Sequence, residues 1–181
     1  MKLHLGCGKR NFGPAWVHVD CGDHPHVTSH DIVSLPFEDN SCGVIYSSHV
    51  IEYFDRAEVV AVLKEWNRVL KPGGIIRLAV PDFEAMIRLY YCESMPIETF
   101  LGPLYGKMQP PGCEAIYHKT AYDFQSLKAL LEDAGFTDVQ WYDWKQTEHG
   151  HIDDHSQAYI PHMDKTDGTL ISLNVEGTKA G

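Results

Sequence analysis

A short apolar run, Leu3-His4-Leu5, stops on Gly6-Cys7-Gly8, and a second run, Trp16-Val17-His18-Val19, stops on Asp20. Few patterns constrain a fold more tightly. Two β-rich segments, each ending in residues suited to meeting a ligand, point to a site at the carboxyl end of a parallel sheet. Glycine admits backbone and ligand where a Cβ would intervene, and an aspartate can accept from both hydroxyls of a ribose. Gly-x-Gly after a strand is also an ordinary tight turn. The segments that follow decide between a nucleoside site and a mere bend.

Those segments alternate β and α. Val27 to Ile32 reads as a short third strand, and Gly43-Val44-Ile45-Tyr46-Ser47 is a β-rich run of the kind buried in a sheet. Asp55 and Glu58 have the spacing of a capping box. Behind them Val59, Val62, Leu63, Trp66, Val69 and Leu70 recur at helical steps, which makes Trp66 a core residue. Lys71-Pro72-Gly73-Gly74 ends that helix and Ile75 to Val80 resumes as a strand. Asp82 caps a second helix carrying Phe83, Met86, Ile87 and Tyr90.

Residues 93–118 lose periodicity and gather Pro96, Pro103, Pro110 and Pro111, the signature of a substrate lid. Asp123 then caps a helix with Phe124, Leu127, Leu130, Leu131 and Ala134 on one face, closed by Gly135. Strands follow at Thr137 to Trp144 and Thr169 to Val175, a late antiparallel pair, with residues 145–166 as a polar insertion. Residues 1–181 are expected to form one α/β domain. Its sheet is Rossmann-like, twisted and mainly parallel, with a late antiparallel strand and helices on both faces.

Composition narrows the function. Hydrophobic residues at 44% and charged residues at 22% suit a soluble globular domain. A net charge of -10 without a basic run argues against nucleic acid as partner. No apolar stretch reaches the length of a bilayer span, and the first strand begins too close to Met1 for a targeting leader. Cys7, Cys21, Cys42, Cys92 and Cys113 are scattered and include no Cys-x-x-Cys pair, which suggests a reducing cytoplasm rather than disulfides or zinc. The run Glu148-His149-Gly150-His151-Ile152-Asp153-Asp154-His155 offers ligand-type side chains, but its spacing fits no metal site. The expectation is a solvated insertion and no metal.

In their order these segments resemble a class I S-adenosylmethionine-dependent methyltransferase of the compact type-11-like branch. The matching stretches are Leu3 to Gly8, Asp20, Asp31-Ile32 followed by Leu35-Pro36-Phe37, Val44 to Glu52, Glu65 to Gly74, and Asp133-Ala134-Gly135-Phe136. The resemblance implies S-adenosylmethionine as cofactor and methyl transfer to a small-molecule acceptor by in-line displacement. It further implies that His4, Leu5, Gly6, Cys7 and Gly8 lie along the methionyl part and that Asp20 holds the ribose. Asp31 would meet the adenine amino group with Ile32 against the ring, and Ser47, Ser48 and His49 would lie beside the sulfonium. Cys7 has no activating neighbour in sequence and reads as a packing residue. His49, His118 and Tyr117 are the candidates for a catalytic base.

Two departures stand out. His4 occupies the place where the family usually has an acid, and Lys9 to Ala15 is too short, and too broken by Gly13 and Pro14, for a full helix. The missing N-terminal helices leave the substrate side open or completed by a second copy of the chain, a homodimer. Two alternatives stay in play: a cofactor-binding module without catalysis, and a nicotinamide-dependent oxidoreductase. The second lacks the third glycine and the opening helix that would seat a pyrophosphate.

Overall fold

Seven strands form the central sheet of the computed structural model, which describes residues 1–181. They are β1 (Lys2–Leu5), β2 (Val17–Val19), β3 (Val27–Ser29), β4 (Cys42–Ser48), β5 (Leu70–Pro81), β6 (Phe136–Trp141) and β7 (Ser172–Lys179). Their order is β3-β2-β1-β4-β5-β7-β6. The first five pair in parallel, and β7 runs antiparallel to both β5 and β6. The chain starts in the middle of the sheet, winds outward through β2 and β3, and returns to β4. That reversal sets the carboxyl ends of β1 and β4 side by side, the switch point where open α/β sheets bind ligands. No helix is long and apolar enough to cross a membrane.

Local sequence accounts for most helix ends. Asp55 Oδ1 accepts from the Ala57 amide at 2.9 Å, while Glu58 Oε2 accepts from the Asp55 amide at 3.1 Å. These bonds build a turn ahead of helix α1 (Val59–Val69) rather than the expected capping box, since Glu58 is the N-cap and makes no side-chain cap bond; the helix buries Val59, Val62, Leu63, Trp66 and Val69. Trp66 is fully buried and donates its indole N–H to the Ile32 carbonyl at 2.7 Å. Asp82 Oδ1 accepts from the Ala85 amide at 3.1 Å and caps helix α2 (Phe83–Cys92). Asp123 and Ser126 make a full capping box on a later helix (Phe124–Asp133), which buries Leu127 and Leu131; Gly135 follows it at φ +90°.

Strand limits differ from the expectation where hydrogen-bond partners run out. The third strand ends at Ser29, because residues 30–34 turn away around the Asp31 carboxylate. The sixth ends at Trp141 rather than Trp144. The stretch from Thr169 divides, with Thr169–Leu170 pairing Tyr159–Ile160 before β7 begins. β5 starts at Leu70, directly on the end of α1, instead of waiting for Ile75. On α2 the buried face is Ala85, Met86 and Leu89, while Phe83, Ile87 and Tyr90 are exposed.

Two larger corrections concern the aperiodic lid and the polar insertion. Residues 93–118 contain helix α3 (Glu98–Tyr105) and a hairpin of Lys107–Met108 with Ile116–Tyr117. Pro103 lies inside that helix and masks its signal. Phe100 anchors the segment in a second cluster with Ala85, Met86, Leu89, Ile160 and Ile171. With α3 counted, the helix at Phe124–Asp133 is α4.

The polar segment 145–166 is solvated on one side only: Glu148, His151, Asp153 and His155 are exposed, while His149, Asp154, Ser156 and Gln157 are buried. Residues 9–15 form no helix, so the sheet face bearing His4, His18 and Tyr46 needs another cover. Phe12 stacks between His4, at 3.9 Å, and His149, at 4.4 Å, and Trp16 closes the nest edge-on. Tyr46 donates to Asp154 Oδ2 at 2.5 Å, and the Ser156 amide and hydroxyl both donate to Oδ1 of the same carboxylate. Leu3, Leu5 and Ile45 alternate to the other face and join the main core with α1 and α4.

Replacing Tyr46 by Phe should therefore leave a buried Asp154 oxygen without its donor. The expected loss is about 1–3 kcal/mol of unfolding free energy, measured by urea denaturation.

Candidate active site

The loop after β1 and the chain after β4 touch. Gly6 has φ +67°, and a Cβ there would fall 2.1 Å from Val50 Cγ2. Gly8, at φ +53°, donates its N–H to Asp20 Oδ2 at 2.7 Å, and Gly22 donates to Oδ1 at 2.6 Å. Asp20 is only 7% exposed, yet each carboxylate oxygen keeps a further lone pair for a ligand. His30 Nδ1 donates to the Asp20 carbonyl at 3.0 Å and steadies the strand end. Cys7 is buried with Sγ 3.6 Å from His26 Nε2; burial, aided by Asp20, pushes its thiol up to about 12. A neutral packing thiol is the result, as the sequence suggests.

At the end of β4, Ser47 donates to the Leu5 carbonyl at 3.0 Å, while the Ser48 hydroxyl is buried without a partner. His49 follows at φ +54°, a left-handed conformation costly for any residue but glycine. Its amide donates to the Ala79 carbonyl at 2.8 Å, which holds the bend. Val50 then lies on Gly6, and His49 enters the wall of a cavity of about 420 Å³. Tyr53, His118, His155, Tyr159 and Met163 line the same cavity.

Behind the two histidines sits Glu52, fully buried with neither oxygen hydrogen-bonded. Its Oε1 lies 3.3 Å from His49 Nδ1 and 3.8 Å from His118 Nε2. Burial raises its carboxyl to about 8. Burial also lowers both histidines; for His49 the neighbouring His155 and His118 add to the effect. His118 Nδ1 donates to the Pro103 carbonyl at 2.7 Å, so its Nε2 carries the lone pair toward Glu52. The family resemblance includes Glu52 in the stretch Val44 to Glu52 but assigns it no role. An acid set between Ile51 and Tyr53 in an otherwise apolar stretch was the available signal.

Other expected residues fall elsewhere. Asp31 is exposed at the sheet edge, where Oδ1 accepts from the Val33 and Ser34 amides at 2.8 and 2.9 Å; Ile32 beside it is half-buried against the core. His4 is 1% exposed inside the aromatic nest, its Nδ1 without a partner, and does not reach the loop surface. Tyr117 is half-exposed on the hairpin, its ring 5.9 Å from Lys107 Nζ, and does not line the cavity. The segment 93–118 is tied to the rest of the chain toward its C-terminal side. Asp23 donates its amide to the Pro111 carbonyl, Cys113 Sγ donates to the Cys21 carbonyl, and the Lys119 amide donates to the Glu52 carbonyl. All five cysteines are free, and no group of three or more His, Cys, Asp or Glu side chains converges as a metal site.

A methyltransferase-domain family model matches residues 15–78. The demethylmenaquinone methyltransferase of Staphylococcus haemolyticus is 31% identical over 126 residues, covering 64% of this chain and 49% of that protein. The enzyme of the same name from Staphylococcus aureus strain Newman is 31% identical over 121 residues, 61% of this chain and 46% of its own length. The chain thus spans about half the length (49% and 46%) of the curated relatives it matches. A SAM-dependent methyltransferase from Methanosarcina mazei superposes with a TM-score of 0.60 at 16% identity, over 99% of this chain and 92% of that one. The putative methyltransferase solved in complex with the Haloferax volcanii Trm112 activator gives 0.55 at 17% identity, over 99% and 82%. The solved structures share the fold.

Gly6→Ala should cost more than Gly8→Ala. Both meet a left-handed backbone worth roughly 1–2 kcal/mol, but only the first drives a methyl group into Val50, adding about 1–3 kcal/mol of overpacking. Urea denaturation of the two variants checks the order.

Proposed function

We propose that this chain, related in sequence and fold to class I S-adenosylmethionine-dependent methyltransferases, transfers the methyl group of S-adenosylmethionine to a small, uncharged acceptor. One observation carries the reading. His49 and Val50 are consecutive, and one lines the cavity while the other packs on the glycine loop that Asp20 supports. A donor on the loop and an acceptor in the cavity would meet at that peptide.

The residues present fit the cofactor. Gly6 and Gly8 offer backbone without Cβ atoms, and the buried Asp20 carboxylate has lone pairs left for a ribose diol. The unpartnered Ser48 hydroxyl awaits a polar group. The loop Leu5-Gly6-Cys7-Gly8 would hold the methionyl part through its backbone, since His4 is enclosed by aromatic rings. Asp31 retains one oxygen free of its turn for the adenine amino group, with Ile32 beside it. When bound, the cofactor supplies a methyl group already activated on a positively charged sulfonium.

What the chain itself adds is placement. Aligning acceptor and methyl at one place converts a bimolecular encounter into an oriented one. The lining contains no Asp, Glu, Lys or Arg, and burial disfavours the charged forms of His49, His118 and His155, which favours an uncharged acceptor. A volume near 420 Å³ suits one small molecule. The absence of a helix over residues 9–15 removes the pyrophosphate seat that a nicotinamide reading needs.

Calorimetry with S-adenosylhomocysteine tests the donor half. Asp20→Ala is expected to weaken binding roughly 10- to 100-fold, the loss of charge-assisted hydrogen bonds worth about 1.4–2.7 kcal/mol. No binding to the wild type would overturn the assignment. Mass spectrometry after incubation with S-adenosylmethionine and 1,4-dihydroxynaphthalene, then a set of phenols and amines, tests the acceptor half. Binding without any methylated product would leave a non-catalytic module.

A further inference from the structure

We propose that Glu52 and His49 form a proton relay, in which an acceptor O–H or N–H proton passes to His49 Nε2 while the Nδ1 proton passes to Glu52. The proposal rests on the methyl-transfer reading and extends it by assigning the site to acceptors that carry a dissociable proton. His49 is the residue that meets the acceptor, and Glu52 acts through it as a positioning residue.

Fixed partners around the ring define its two tautomers. Asn174 Nδ2 donates to the Ser156 carbonyl at 2.9 Å, so its amide oxygen is the atom facing Ser172. Ser172 donates to that oxygen at 3.2 Å and therefore presents lone pairs to His49 Nε2, 3.5 Å away. A proton on Nε2 matches this partner, and Nδ1 then accepts from a neutral Glu52 carboxyl. Removing one proton from the pair reverses the arrangement. Nδ1 carries the remaining proton toward an ionised Glu52, and Nε2 becomes a free base at the cavity wall.

The proton balance closes without a buried imidazolium. The acceptor O–H or N–H bond breaks as Nε2–H forms, and Nδ1–H breaks as the Glu52 O–H forms. The pair passes from one negative charge to none. Burial and the charges of His155, His118 and Arg10 disfavour an imidazolium at His49 and outweigh a hydrogen bond to the His155 backbone that favours it. Around Glu52 the other titratable neighbours are His118 and the phenols of Tyr53 and Tyr122, none a permanent cation. His118 presents its lone-pair nitrogen to the same Glu52 oxygen and offers the next station for the proton. With burial holding Glu52 near 8, the base form appears as pH rises through that value.

Long-range proton–nitrogen correlation spectra of the full chain, histidine-labelled with nitrogen-15 and saturated with S-adenosylhomocysteine, test the relay. In the wild type His49 is expected to change from the Nε2–H to the Nδ1–H tautomer with a midpoint near 8. Glu52→Gln should abolish the change, and Glu52→Asp should keep it at a shifted midpoint. A wild-type His49 that holds one tautomer throughout overturns the relay, even if Glu52→Gln does not fold. An unaltered switch in Glu52→Gln, or one confined to His118, overturns it as well. Failure of the wild type to bind S-adenosylhomocysteine would instead sink the donor reading, and the relay with it; binding without the switch sinks the relay alone.

Discussion

The approach of Gly6 to Val50 is the contact on which the site depends. No side chain larger than hydrogen fits between the β1 loop and the residues after β4. Because they meet, three things follow within a few residues: the loop amide of Gly8 reaches Asp20, His49 is forced into a left-handed bend, and Glu52 is carried under the cavity floor. A methyl group at residue 6 would push the β1 loop, with Gly8, away from the stretch after β4 that carries His49 and Glu52.

The two faces of the sheet are covered by different means. On one, α1 and α4 bury an apolar stripe in the usual amphipathic way, with Trp66 filling the centre. On the other, a stretch too short for a helix leaves His4, His18 and Tyr46 in need of cover, and the chain after β6 returns to supply it. That cover is rich in polar groups and holds because most of them are paired: Tyr46 and Ser156 satisfy Asp154, and Asn174 satisfies Ser156. Buried polar groups are tolerable on such terms and expensive otherwise. The same principle singles out Glu52, a buried carboxyl with neither oxygen hydrogen-bonded, as the costliest of the few buried groups left without a partner.

Legibility followed the range of the forces involved. Asp82 and Asp123 read directly as helix starts, because capping is a contact between residues two or three apart. The stripe of α1 was equally plain. The buried face of α2 was not. Phe83, Ile87 and Tyr90 are as apolar as Ala85, Met86 and Leu89, and only the neighbours Phe100 and Ile171 select the latter. Helix α3 was hidden by Pro103, whose helical context comes from packing rather than propensity. Among the candidate site residues, Gly6, Gly8 and Asp20 stand at strand ends and Ser48 and His49 follow from the family resemblance, whereas Glu52 has no local mark except its apolar flanks.

Periodicity in the chain was enough to determine an α/β sheet, and strand-end chemistry marked its glycine loop and carboxylate as candidates, because these arise from residues close together along the backbone. Convergence of distant segments was needed for the rest. His4 became a packing residue through Phe12 and His149, and the histidine-rich run became a buried cover through Tyr46. Glu52 gained its neighbours from residues 49 and 118. Burial is a property of the whole fold, and burial sets the charge of an acid or an imidazole. The proton chemistry of the cavity could therefore be read only once the chain had closed around it.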